Sequence, residues 1–282
     1  MLKYLLALLT LLPISLSGYS QTSPAYEVYA LQFAEKGLTP VSELVSNGPQ
    51  KDSVNLIFMT WLIKGPAGKN ILVDAGFLND VEEAKEMNVT HYTRPDSMLL
   101  HLGIKADDIT DIILTHPHWD HMDAISLFPI AHLWIQKEDY YYFVGTAWQK
   151  EGNHGGFNKR NVDYLVKANL AGKLTLVDGD NKELFPGIKV HTGSRHTFNS
   201  QYVLVQTGAD RIVLASDNIW IYYNLDHLQP PPPYGTFDEK AYVQAMQRMK
   251  QLASKQQYII PGHDSNVMKR FPPVTQRIVK IR

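Results

Sequence analysis

Three imidazoles and a carboxylate fall within six residues in Thr115-His116-Pro117-His118-Trp119-Asp120-His121, directly after the apolar run 112–114. In an extended segment residues two apart project to the same side, so His116 and His118 can face one metal ion while Asp120 and His121 turn toward a neighbouring position. Each is a ligand type that zinc accepts. The competing reading is a polar surface turn, but four titratable groups crowded at a strand end would repel or desolvate one another without a cation. Three further residues extend the cluster. His196 stands in His191-Thr192-Gly193-Ser194-Arg195-His196-Thr197, Asp217 follows the run 212–215, and His263 stands in Pro261-Gly262-His263-Asp264. Loops at strand ends are where a rigid scaffold displays catalytic groups, and these loops must converge on the first cluster to complete a dinuclear centre. Taken singly, His196 and His263 read as ordinary turn residues; their assignment depends on the cluster at 116–121.

The elements that must bring them together are legible as hydrophobic patterns. Strand-like runs recur at 26–33, 56–63, 70–74, 112–115, 132–136, 174–177, 188–191, 201–205, 211–214 and 257–259. Amphipathic helical spacing appears at 96–102, 137–143, 158–170, 238–252 and 264–270, with Asp96 and Asp238 as N-caps. Strands arrive in consecutive pairs early and late with helices interspersed. That order predicts a sandwich of two mixed sheets covered by helices rather than a strictly alternating parallel fold.

Composition bounds what such a site can serve. Lys and Arg number 27 against 28 Asp and Glu, a formal charge of −1, so the domain-wide basic excess of a nucleic-acid binder is missing and the expected partner is a small molecule. Cysteine is absent, which eliminates disulfide frameworks, thiolate zinc sites, iron–sulfur clusters and cysteine nucleophiles. Residues 1–20 stand apart: Lys3, an apolar run over 5–16 broken by Thr10, Pro13 and Ser15, then Gly18 and Ser20 at −3 and −1. This reads as a secretory signal, too short and interrupted for a membrane span. The expectation is one domain over 21–282, exported to the periplasm or secreted, with no stable membrane insertion once the signal is cleaved. The four prolines at 230–233 mark a loop, not a domain boundary.

The order of these elements resembles the metallo-β-lactamase superfamily over nearly all of 26–282: an Asp after an early strand (Asp74 in Val73-Asp74-Ala75-Gly76), the His-x-His-x-Asp-His cluster, then a His, an Asp and a final His. The resemblance implies an α/β fold, a four-layer αβ/βα sandwich of two mixed β-sheets flanked by helices. Carried over residue by residue, it implies that His116, His118 and His196 bind one Zn2+, that Asp120, His121 and His263 bind a second, and that Asp217 bridges them. Asp74 is implied to orient a ligand imidazole, a task such sites require.

Departures narrow the branch. Cysteine-ligated β-lactamases are excluded, and the all-histidine β-lactamases lack the bridging Asp. The flavodiiron branch carries Glu where His118 stands. Nineteen residues follow His263, so neither a flavin domain nor the helical extension of glyoxalase-type members is expected, and the inserted domain of RNA-processing members is not apparent. What remains is similar to the N-acyl-homoserine lactonases, in Tyr29-Ala30-Leu31, Trp61-Leu62-Ile63, Asp74-Ala75-Gly76-Phe77, Leu176-Val177-Asp178-Gly179-Asp180 and Ala215-Ser216-Asp217-Asn218 with Tyr222-Tyr223-Asn224-Leu225. That group places a Tyr three residues after the bridging Asp, where this chain has Trp220. Trp220, Tyr222 and Tyr223 are therefore candidate substrate contacts, the two tyrosines reading equally well as core or rim aromatics on a strand-like run.

The expected activity is opening of a lactone ring (quorum quenching) by a hydroxide bridging two zinc ions, with Asp120 as the catalytic residue that passes a proton to the leaving alkoxide. The alternatives are a same-fold hydrolase of another ester, a phosphotriester or a β-lactam, and a non-enzymatic metal binder. A homodimer is compatible with the sequence. His91, His101, His132 and His227 lack partner motifs and read as structural, and His191 as a neighbour of the site or a surface group. Residues 154–157 read as a loop over the site or a plain flexible loop. The aromatic run 140–143 with Trp148 reads as core or lid packing, or as the lining of an acyl-chain pocket.

Overall fold

Successive side chains of a strand point to opposite faces, and Ile71-Leu72-Val73 is apolar on both, the signature of a strand covered on two sides. In the computed structural model, which describes residues 25–282, Ile71 and Val73 join one core cluster and Leu72 the other. Ile113 likewise parts from Ile112 and Leu114. The strands are β1 (Glu27–Pro40), β2 (Ser53–Lys64), β3 (Asn70–Val73), β4 (Asp111–Ile113), β5 (His132–Gln136), β6 (Leu174–Val177), β7 (Lys182–Phe185), β8 (Ile188–Thr192), β9 (Gln201–Thr207), β10 (Asp210–Ser216), β11 (Ile259–Pro261), β12 (Pro273–Thr275) and β13 (Ile278–Lys280). They form an eight-stranded sheet, β12-β13-β1-β2-β3-β4-β5-β6, and a five-stranded sheet, β11-β10-β9-β8-β7. Strands β3 to β6 run parallel, as do β10 and β11, and the other neighbours pair antiparallel, so both sheets are mixed.

The helices are α1 (Val41–Leu44), α2 (Glu82–Glu86), α3 (Pro95–Leu99), α4 (Trp119–Met122), α5 (Lys137–Val144), α6 (Lys159–Leu170), α7 (Tyr222–His227), α8 (Glu239–Leu252) and α9 (Val267–Arg270). Tyr140, Tyr142 and Phe143 of α5 and Leu165 of α6 cover the outer face of the larger sheet, with Leu72, Ile112 and Leu133. On the far side α8 lays Tyr242, Ala245, Met246 and Met249 against the smaller sheet, the spacing of one helical face. Helices, sheet, sheet and helix make the four expected layers, and the aromatic run 140–143 is largely core. Asp238 caps α8 through a 2.9 Å bond to the Ala241 N–H.

Several local expectations are corrected. Asp96 is not an N-cap: α3 begins at Pro95, whose missing N–H suits the first turn, and Asp96 pairs with Arg94. The run at 257–259 is mostly a 3-10 turn (Gln256–Tyr258) leading into β11. Strands β7, β12 and β13 carried no readable alternation. The aromatic run at 222–223 opens α7 rather than a strand, because the Asn224 side chain accepts from the Ile221 N–H and starts a helical turn. The signal expected over 1–20 lies outside the described residues. Among the described residues no helix is long and apolar enough to cross a membrane.

Candidate metal centre

Residues just beyond the C-terminal ends of β4, β8, β10 and β11 meet at one edge of the sandwich. His116 and His118 lie on the stretch between β4 and α4, Asp120 and His121 on α4, His196 between β8 and β9, Asp217 directly after β10 and His263 directly after β11. The structure gathers them as two groups, His116, His118, His196 and Asp217 in one and Asp120, His121 and His263 in the other. The two pairs of the central cluster are parted by the helical turn of α4, which follows His118, and not by strand alternation alone.

Asp217 faces both groups. Its Oδ2 is 3.3 Å from His196 Nε2 and 4.0 Å from His116 Nε2, while its Oδ1 is 2.8 Å from His263 Nε2 and 3.1 Å from His121 Nε2. Asp120 Oδ2 lies 3.2 Å from His121 Nε2 and 3.6 Å from His263 Nε2. His118 turns Nδ1 inward, 3.1 Å from His196 Nε2. The close approach requires Gly262: a Cβ there would stand 2.6 Å from Asp217 Oδ1 and 2.9 Å from the Ser216 backbone. Gly156, at φ +77°, leaves the same room beside the His118 ring, so the loop at 154–157 does lie over the site.

The far side of four imidazoles is fixed by an acceptor. His121 Nδ1 meets Asp74 Oδ2 at 2.9 Å, His116 Nδ1 meets Thr115 Oγ1 at 2.9 Å, His196 Nδ1 meets the Gly235 carbonyl at 2.7 Å and His263 Nδ1 meets the Ile57 carbonyl at 2.9 Å. With Nδ1 donating, each ring presents its Nε2 lone pair to the centre, the tautomer a metal ligand needs. Asp74, fully buried, organises this shell: it accepts from the Thr115 N–H, the Thr115 and Ser216 hydroxyls (each 2.8 Å) and His121. Its left-handed backbone (φ 61°), like that of Ser216 (φ 48°) and Arg195 (φ 60°), is strained conformation held at the site by its surroundings.

Electrostatics ask for a cation here. Burial holds His116 well below the usual imidazole range and pushes His118 down to about 3, as neutral ligands require. Burial also opposes charge on His121 and His263, yet Asp120, Asp217 and Asp74 around His121, and Asp217 beside His263, raise both. Asp217, despite its own burial, is held well below the carboxylate range by His263 and His121, and Asp120 is lowered by His121. His116 Nε2, His121 Nε2 and Asp217 Oδ1 are buried without a hydrogen-bond partner. Orphaned acceptors converging from the segment after β4 and from the end of β10 fit divalent cations, with Asp217 disposed to be shared between two.

A cavity of about 210 Å³ opens on Asp120, Asp217 and His263, walled by Leu44, Leu56, Phe58, Met87, Trp119 and Trp220 with Lys36 and Glu43 among its polar residues. Trp220 stands where a substrate contact was expected. Tyr222 and Tyr223 do not: both line a separate cavity of about 420 Å³, and the Tyr222 ring lies under the Arg270 guanidinium at 3.4 Å. The phenol in the site cavity is instead Tyr234, 6.1 Å from Trp220 ring to ring, its hydroxyl donating to the Glu43 carbonyl. Its sequence signal was position alone, immediately after the stiff 230–233 prolines. His191 is buried, stacked on Tyr202 and bonded to Arg248; His132 bonds Thr175.

Comparison with known proteins agrees with the fold. A sequence model of the metallo-β-lactamase superfamily matches residues 59–263. An N-acyl homoserine lactonase of Bacillus cereus is 24% identical over 177 residues, 62% of this chain and 64% of that protein, so the match spans just under two thirds of the relative's length. Among solved structures, a quorum-quenching N-acyl homoserine lactone lactonase superposes with a TM-score of 0.67 at 21% identity, covering 88% of this chain and 96% of the other. The dizinc quorum-quenching lactonase AidC, in complex with a product N-hexanoyl-L-homoserine, gives a TM-score of 0.63 at 18% identity over 86% of this chain and 88% of its own. At these identities the structural likeness establishes the fold.

Proposed function

The chain belongs to the metallo-β-lactamase superfamily, and from that premise we propose that it is a zinc-dependent hydrolase that opens the lactone ring of N-acyl-homoserine lactones. The observation that carries the hydrolase is Asp217, whose two oxygens face two separate histidine groups beside an apolar cavity. The lactone is favoured by the named activity of the relatives that share the fold.

Two divalent cations, once bound, supply Lewis acidity toward a carbonyl oxygen and make water acidic enough to yield hydroxide near pH ~7. His116, His118 and His196 would hold one, Asp120, His121 and His263 the other, with Asp217 shared. The chain's own residues do the rest. Trp119, Phe58, Leu56 and Leu44 give an acyl arm an apolar wall and keep bulk water from the reacting bond. Asp120 meets His121 and His263 through Oδ2 and borders the cavity, which supports its carboxylate as the carrier of a proton to the departing alkoxide.

One observation favours a second reading. The cavity wall at 220 carries an indole and not a phenol, so the hydroxyl that the lactonase resemblance implies at that position is missing, which weighs toward a same-fold hydrolase of another ester or a phosphotriester. Turnover of a panel of short- and long-chain lactones, an aryl ester, a phosphotriester and a β-lactam by zinc-loaded protein separates the readings: ring opening is expected, and its absence beside good turnover of another member assigns the other substrate. We also propose export, on the composition of residues 1–20; an N-terminus near Gln21 in purified mature protein is the expected result.

A further inference from the structure

Asp74 reaches His121 directly and His116 through Thr115, but it makes no bond to the segment that carries His196. That segment has its own carboxylate. Asp139, on α5 and fully buried, accepts from Thr197 Oγ1 at 2.6 Å and from the Asn199 N–H at 2.9 Å, one and three residues beyond His196. The same loop departs from regular structure on the other side of His196, with Arg195 in the left-handed region, a conformation that persists only where neighbours over-determine it.

We infer that Asp139 is a positioning residue for the metal group of His116, His118 and His196, acting through the Thr197–Asn199 segment as Asp74 acts through Thr115. Neutral acceptors would fasten the loop as well, and burial raises the Asp139 carboxyl to about 6, so a charged group here is costly unless positive charge lies close. Two divalent cations bring more positive charge than Asp120 and Asp217 cancel. Asp74 and Asp139, both buried, fasten different ligand segments, Asp74 at Thr115 and His121 and Asp139 at Thr197 and Asn199.

The inference rests on the dinuclear reading, and its test keeps the two apart. Zinc affinity is measured by competition with a chromophoric chelator, and site identity by the visible spectrum after cobalt substitution, in the wild type, Asp139→Asn and Asp139→Ala, with His196→Ala and His263→Ala as references. For Asp139→Asn, one of two sites should weaken by roughly 10–100-fold while the other keeps wild-type affinity. Its cobalt spectrum should shift toward that of His196→Ala, and the metal-free melting temperature should hold or rise, since a buried charge has been removed. Asp139→Ala should weaken the same site further; if it does not fold, Asp139→Asn decides alone. Unchanged affinity at both sites overturns the inference, as does equal weakening at both with a lowered metal-free melting temperature, which marks a purely structural role. A wild type that takes up fewer than two metals overturns the dinuclear reading instead.

Discussion

Asp120 and Asp217 are the same residue type a few ångströms apart, and their surroundings assign them different work. Asp217 turns one oxygen toward each histidine group, whereas the imidazole contacts of Asp120 all use Oδ2. Asp120→Asn keeps that shape and removes the proton acceptor, so kcat should fall by roughly 10²–10⁴-fold with the metal content, read by elemental analysis, intact. Loss of one metal in step with activity would make Asp120 a ligand only. Trp220 belongs to the cavity wall: Tyr234 leans on it, and Gly235 packs so closely that a Cβ there would stand 2.5 Å from the indole. The smaller ring of Trp220→Tyr should therefore cost long acyl chains more than short ones in kcat/KM, since each unburied CH₂ is worth about 0.8 kcal/mol. An equal effect on both chain lengths would remove Trp220 from acyl recognition.

Strand ends and the turns that follow them decide how close the two halves of the centre come. The turn after β11 passes against Asp217 only because residue 262 has no side chain. Gly262→Ala should cost about 1–3 kcal/mol by overpacking and displace Asp217, lowering the melting temperature and releasing metal together; a variant that melts early yet holds both metals would place the strain elsewhere. The same elements show what the sequence could and could not reveal. The segment 116–121 is legible because four ligand residues fall within six positions and need no folding knowledge. His196, Asp217 and His263 were readable only through their order and their places after strands. Thr115, Ser216 and Asp139 were not singled out for any role, since a hydroxyl or carboxylate earns one only from its partner: Ser216 meets Asp74 across 142 positions and Asp139 meets Thr197 across 58. Tyr222 and Tyr223 misled because an aromatic pair fits a strand or a helix equally, and the Asn224 side-chain bond that selects the helix has no hydrophobic period.

At the scale of the whole molecule, the centre links metal, protons and stability. His121 and His263 are raised in the folded protein, so without metal their contribution is fully present below the unfolded imidazole range and is lost as pH rises through their folded values. Asp217 is lowered, so its contribution is present above the unfolded carboxylate range and lost as pH falls through its folded value. The metal-free fold is therefore helped by the cluster in the window between, where protons on the two rings stand in for a cation. Metal takes only the neutral rings, so uptake must expel those protons, and affinity must climb with pH until both rings are free. A ligand at a thousand times its Kd stabilises by about 4 kcal/mol, and weaker binding at lower pH shrinks that gain. The rise in melting temperature on adding zinc should accordingly be larger near pH ~8 than near pH ~6. Titration calorimetry near neutral pH, run in buffers of different ionisation enthalpy, should report proton release together with a stoichiometry of about two metals per chain. His263→Ala should reduce the protons released. Metal uptake without proton release, and a pH-independent gain in melting temperature, would mean that His121 and His263 are already neutral in the metal-free protein and that the surrounding carboxylates do not set their charge.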